Sequence, residues 1–165
     1  MAIEIERKFL VTGTAWKSSH SILLSQGYLN RAKERTVRIR IACDQAFLTV
    51  KGVTTGASRQ EFEYEIPLAD AQKMLLLCER PIIEKRRYML EYEGHIWEID
   101  EFLGVNEGLV VAEVELESED QPFKRPVWLG LEVTNDPRYF NSNLANNPYT
   151  NWDVLNSSII DAACK

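Results

Sequence analysis

Along much of this chain, alternate positions carry charge and the positions between them are apolar. In IEIERKFL (3–10), Glu4, Glu6 and Lys8 form one string, and Ile3, Ile5, Arg7 and Phe9 form the other. A β-strand sends successive side chains to opposite faces, so one face here is wholly ionic and the other mostly apolar. The pattern recurs. In TVRIRIA (36–42), Arg38 and Arg40 oppose Val37, Ile39 and Ile41, and in AFLTVKG (46–52) Lys51 opposes Val50. In RQEFEYEIP (59–67), Glu61, Glu63 and Glu65 oppose Phe62, Tyr64 and Ile66. Lys85 and Arg87 share a face, Glu98 and Asp100 oppose Trp97 and Ile99, and Glu113, Glu115 and Glu117 oppose Ala112, Val114 and Leu116. A helix cannot produce this pattern, because positions i and i+2 diverge by roughly 200° around its axis.

Turn residues divide the remainder into further elements. ILLSQGYLN (22–30) reads as a strand, and the VTGTAWKSSHS connection before it has room for one helical turn. Strands are expected over 82–92 and 95–102, joined at Glu93-Gly94, a hairpin signal. Further strands are expected over 108–117 and 127–134. LADAQKMLLLC (68–78) has apolar residues at helical spacing and predicts a helix. Pro137 after Asp136 predicts a short helix running to about Asn146, and residues 150–165 predict a terminal helix. Eight or nine antiparallel strands with few helices make a mainly β (α+β) chain, either a closed barrel or a sandwich.

Two geometries satisfy the charged faces. In one, the apolar faces share a core and the charged faces meet water, the usual arrangement for antiparallel sheets. In the other, the charged faces line a barrel interior and the apolar faces pack against outer elements. Two features favour the second: little Ser, Thr or Gln is mixed into the charged positions, and like charges segregate by strand. Neighbouring like charges repel, and exposed ion pairs contribute little stability. An interior lined by both signs becomes favourable when it holds a polyanion together with divalent cations.

Composition narrows the class. The 165 residues suit one domain, and no apolar run approaches the roughly 20 residues of a membrane span. No signal peptide is evident, and the three widely spaced cysteines fit free thiols, so the expected location is cytoplasmic. Two histidines argue against a histidine-rich metal site, and a net charge of −6 gives no global attraction for nucleic acid or membrane. An anionic ligand therefore requires a local cation cluster. Lys8, Arg38, Arg40, Lys51, Lys85 and Arg87 supply candidates for clamping phosphate oxygens. Glu4, Glu6, Glu63, Asp100, Glu113 and Glu115 supply oxygen ligands of the kind hard cations take. Both sets in one interior suit metal-assisted phosphoryl chemistry.

Glu4-Ile5-Glu6-Arg7-Lys8 resembles the ExExK signature of the CYTH superfamily, the triphosphate tunnel metalloenzymes. The resemblance continues through VRIR, LTVKG, EFEYEIP, the Lys85/Arg87 strand, EIDEF and AEVELE, and ends at DPRYFNSNLA, which is similar to the family's plug helix. It covers about residues 1–150 of a single domain spanning 1–165, leaving 151–165 as a terminal extension. It implies an eight-stranded antiparallel tunnel with a few outer helices and a C-terminal plug, a triphosphate substrate, and Mg²⁺ or Mn²⁺. The six cations are then the expected substrate-binding residues, and the six carboxylates the expected metal ligands, with Glu61 a weaker candidate on the same face. The expected catalytic set is Glu4, Glu6, Lys8, Tyr28 and Lys85, Tyr28 resembling a tyrosine that lines the tunnel in bacterial members. The expected reaction is hydrolysis of inorganic triphosphate to pyrophosphate and phosphate. The alternatives are a class IV adenylate cyclase, a nucleoside or thiamine triphosphatase, and a non-catalytic polyphosphate binder. The apolar outer faces leave a homodimer open.

Overall fold

The computed structural model describes residues 3–18 and 20–152. The alternating segments form strands: β1 (Ile3–Val11), β2 (Ile22–Asn30), β3 (Thr36–Ala42), β4 (Gln45–Lys51), β5 (Ser58–Ile66), β6 (Glu79–Tyr92), β7 (His95–Phe102) and β8 (Val110–Glu115). They hydrogen-bond in the order β5-β4-β3-β2-β6-β7-β8-β1, every pair antiparallel. β1 then returns to β5, Ile3 opposite Gln60 and Ile5 opposite Ser58, which closes the barrel. A short β9 (Leu129–Glu132) adds to the C-terminal half of β1. The β6–β7 turn has positive φ at both Glu93 (48°) and Gly94 (82°), as a two-residue hairpin turn of matching twist requires. Among the described residues no helix is long and apolar enough to cross a membrane.

Apolar side chains on the outer face gather under the connecting segments. Phe9, Trp97, Ala112 and Val114 pack with Trp128 on one side. Trp16, in the connection after β1, stacks edge-on against Tyr88 at 5.4 Å. On another side, helix α1 (Leu68–Leu77) buries Ala71 against Ile39 and Ala46, with Cys78 just after it. Gly27 permits that approach: a Cβ there would lie 2.7 Å from both Cys78 Cβ and Ile82 Cδ1. The ionic strings point the other way, into the barrel. Lys8, Arg38, Lys85, Asp100 and Glu113 are all buried.

Four local differences from the sequence expectations have physical causes. Residues 12–18 and 20–21 form turns and extended chain instead of a helical turn; Trp16 Nε1 donates to the Gly13 carbonyl at 2.7 Å and holds the connection as a strap. β6 begins at Glu79, earlier than expected, because β2 continues beside it and pairs Tyr28 with Glu79. The plug is two pieces: a 3₁₀ turn, Pro137–Tyr139, capped by the Asp136 carboxylate accepting from Arg138 N, and then α2 (Asn141–Asn146). Between them Phe140 is extended, which frees the Tyr139 carbonyl to accept from Lys8 Nζ at 3.3 Å. Apolar residues also point inward at one end: Leu10, Ile83, Phe102 and Val111 continue the strings of Lys8, Lys85, Asp100 and Glu113 and pack on Leu144 and Ala145 of α2. That end is a sealed apolar floor. The expected terminal helix lies largely outside the described residues, which show a 3₁₀ turn at Tyr149–Asn151.

Candidate active site

Seven strands, β1 and β3–β8, place charged side chains around one interior, and the plug adds the Asn141 amide and the Tyr139 carbonyl. Alternation along each strand aims them inward, and the antiparallel register sets their neighbours. Lys85 Nζ donates to Asp100 Oδ2 at 2.6 Å and to Asn141 Oδ1 at 3.2 Å. Arg87 holds the same carboxylate with two contacts, at 2.8 and 2.9 Å, and reaches Glu98 at 2.7 Å. Lys8 pairs with Glu113 at 3.2 Å. Lys51 Nζ donates to Glu4 at 2.7 Å and lies 3.8 Å from Glu61. Arg38 and Arg40 share Glu63 at 3.4 and 3.3 Å, while Thr49 donates to the same carboxylate at 2.9 Å.

These side chains surround a cavity of about 550 Å³, bordered by Glu4, Glu6, Arg38, Arg40, Lys51 and Arg87. Ile3, Met89 and Ile96 form an apolar edge to it. A smaller compartment of about 60 Å³ shares Glu4, Glu6, Arg38 and Lys51 and extends to Lys8, Tyr28 and Asn141. The interior is thus wide at one end and narrow toward the plug.

The carboxylates divide into two electrostatic classes. Burial works against the charge on Glu113, but Lys8 outweighs it and brings its pKa down to about 2. Burial likewise opposes the Asp100 carboxylate, while Arg87 and Lys85 hold its pKa far below the usual range. Glu4 falls below its ordinary value because Lys51 overcomes burial. Glu6 behaves in the opposite way. Burial first, then the nearby Glu113 and Glu4 charges, push its pKa up to about 8. Burial, with Glu4 beside it, also raises Glu61 to about 7. Glu6 has no cation within ion-pair distance among the described residues, so it is a carboxyl awaiting a positive partner.

The residues singled out from sequence are distributed accordingly. Lys8, Arg38, Arg40, Lys51, Lys85 and Arg87 all face the interior, as do Glu4, Glu6, Glu63, Asp100 and Glu113. Glu115 stands opposite Glu6 in register, more exposed but bordering the same cavity. Tyr28 is buried; it lines the small compartment and also packs in the apolar floor. Asp100 and Glu63, expected beside a metal, are occupied by cations: Asp100 by Lys85 and Arg87, Glu63 by Arg38 and Arg40. Other site residues were given no role from sequence. Glu98, already on the charged face by alternation, and Thr49 stand two residues before Asp100 and Lys51 on the same inward strings. Asn141 and the Tyr139 carbonyl come from the plug and carry no local signal.

Among the described residues no group of three or more His, Cys, Asp or Glu forms a ready-made metal cage. The donor chemistry nevertheless fits a hard divalent cation. Glu4, Glu6, Glu113 and Glu115 offer only oxygen, and Glu6 and Glu115 have no ion-pair partner among the described residues, unlike Glu4 and Glu113. Mg²⁺ and Mn²⁺ accept few protein carboxylates, with water and phosphate oxygens completing their shells.

The family model described as the CYTH domain matches residues 2–146. The chain belongs to the CYTH family. An inorganic triphosphatase of Acetivibrio thermocellus is 55% identical over 154 residues, spanning 92% of this chain and 99% of the relative. An inorganic triphosphatase of Nitrosomonas europaea is 39% identical over 146 residues, spanning 86% of this chain and 96% of the relative. A solved inorganic triphosphatase structure superposes with a TM-score of 0.64 at 37% identity, over 88% of this chain and 95% of that one. This CYTH protein therefore shares its barrel fold with a protein bearing that activity in its name.

Proposed function

We propose that this CYTH protein hydrolyses inorganic triphosphate to pyrophosphate and phosphate inside its barrel, with a divalent cation, Mg²⁺ or Mn²⁺. The observation that carries this reading is the barrel interior lined by Lys8, Arg38, Arg40, Lys51 and Arg87, with Lys85 buried behind them against Asp100, beside a carboxyl, Glu6, that has no ion-pair partner among the described residues. The relatives' printed activity supports it. Residues 1–165 act as one catalytic domain, with 151–165 a terminal extension.

Lys8, Arg38, Arg40, Lys51, Lys85 and Arg87 bind the anion; Arg38, Arg40 and Lys51 exchange their carboxylate partners for phosphate oxygens, while Lys85 and Arg87 keep Asp100. Arginine does so with a fork of parallel donors and lysine with a point charge. Asp100 and Asn141 hold the Lys85 ammonium in place, and the Tyr139 carbonyl does the same for Lys8. Glu4, Glu6, Glu113 and Glu115 hold the cation. When bound, it neutralises phosphate charge as a Lewis acid. Glu4 and Glu6 orient the attacking water, and Lys8 and Arg38 stabilise charge that develops on the phosphoryl group in a site already organised to receive it. Tyr28 faces the same small compartment and completes the catalytic set with Lys85. The apolar floor of Leu10, Ile83, Phe102 and Val111 limits water entry from behind.

Purified protein is incubated with Mg²⁺ or Mn²⁺ and tripolyphosphate, ATP or thiamine triphosphate, while phosphate and cyclic AMP are assayed. The expected result is fastest phosphate release from tripolyphosphate, with none in EDTA. Cyclic AMP from ATP would identify a cyclase instead, and binding without turnover of any substrate would identify a binder.

A further inference from the structure

Gln26 in β2 is fully buried, and neither its Nε2 nor its Oε1 meets a hydrogen-bond partner among the described residues. Its direction is fixed by its neighbour. Gly27 faces outward against Cys78 and Ile82, so alternation turns Gln26 inward, on the face that carries Tyr28. Across the sheet it stands opposite Arg40 of β3 on one side and Ile83 of β6 on the other. Directly opposed residues in an antiparallel pair have Cβ atoms about 4.5–5.5 Å apart, which brings a glutamine amide within reach of the Arg40 guanidinium.

Arg40 is incompletely held. Its Nη2 contacts Glu63 at 3.3 Å and its guanidinium lies over the Phe47 ring at 5.4 Å, yet its Nε is buried without a partner. Arg38 has the same orphaned Nε. A buried polar group without a hydrogen bond keeps the cost of leaving water and recovers none of it. An apolar side chain beside Ile83 would avoid that cost at position 26. A buried acceptor facing a buried, unpartnered donor on the neighbouring strand is a pair that closes only after a rearrangement.

We propose that Gln26 is a positioning residue for Arg40: with triphosphate in the barrel, Gln26 Oε1 accepts from Arg40 Nε–H and holds the guanidinium so that its terminal nitrogens leave Glu63 and face the anion. An amide suits this role because it orients a guanidinium without cancelling its charge. A carboxylate at the same place would grip Arg40 more tightly and oppose the substrate. The inference rests on the triphosphate reading above.

The test combines kinetics with thermal unfolding. Gln26→Leu replaces an unpartnered amide by an apolar group of similar size, so its Tm is expected to match or exceed wild type. Its KM for tripolyphosphate is expected to rise about tenfold with kcat changed less than threefold, and Gln26→Glu is expected to raise KM further. In an Arg40→Ala background, Gln26→Leu is expected to add no further rise in KM, since coupled residues are non-additive. An unchanged KM in Gln26→Leu, or a rise that multiplies in full with that of Arg40→Ala, overturns the role. If Gln26→Leu does not fold, Gln26→Met carries the same readouts. Wild-type protein that turns over no triphosphate defeats the functional reading and this proposal together. Wild-type turnover with an indifferent Gln26 variant defeats this proposal alone.

Discussion

Glu6 is a buried carboxyl set among other carboxylates. Burial and its carboxylate neighbours raise its pKa from 4.5 to about 8 in the folded chain. Between those values the native state holds a proton that the unfolded chain has released, so its contribution to stability is complete below pH 4.5 and is lost as pH rises through about 8. The metal-free protein should therefore show a Tm that falls over this window, a fall that Glu6→Gln should reduce. Added Mg²⁺ should raise the Tm most at the alkaline end, where Glu6 is ionised; an equal effect at pH 5 and pH 8 would contradict that assignment. The same residue separates binding from chemistry. Glu6→Gln should lower kcat by about a hundredfold or more, with a smaller effect on KM, if it orients the attacking water. Arg38→Ala should do the reverse and raise KM about tenfold to a hundredfold, as expected for loss of charge-assisted hydrogen bonds worth about 1.5–3 kcal/mol. Steady-state kinetics on the two variants distinguishes the roles.

At the scale of elements, β2 and α1 meet through a missing side chain. A Cβ at Gly27 would collide with Cys78 and Ile82, so Gly27→Ala should destabilise the fold by about 1–3 kcal/mol, measured by urea unfolding. A Tm equal to wild type would show that α1 is free to shift. Strands were the most legible elements, since a period of two with charge on every second residue permits no helical reading. The paired strands of TVRIRIA and the Glu93-Gly94 hairpin lie where the pattern places them. The plug was legible only as one helix, because nothing local in DPRYFNS reports that Lys8, over a hundred residues earlier, needs the Tyr139 carbonyl. The early start of β6 was hidden for a similar reason: Glu79 joins the sheet through its partner Tyr28.

Over the whole molecule, one inversion organises the fold. Apolar clusters lie outside the barrel under α1, the Trp16 strap and the segment around Trp128, and the ionic strings line its interior. Pairing explains how such an interior survives without ligand: Lys8 with Glu113, Lys51 with Glu4, Lys85 and Arg87 with Asp100. Breaking one buried pair leaves an uncompensated charge, typically a loss of about 3–5 kcal/mol. The sequence pattern revealed which residues share the inward face, but not which of them neutralise one another. That depends on barrel closure and register, and it is why Asp100 could be placed inside from sequence while its grip by two cations could not. The most direct measurement is diffraction from crystals of Glu6→Gln protein grown with tripolyphosphate and Mg²⁺. One tripolyphosphate inside the barrel, its oxygens on Lys8, Arg38, Lys51 and Lys85, is the predicted result; an empty interior with the anion on the outer surface would contradict the account.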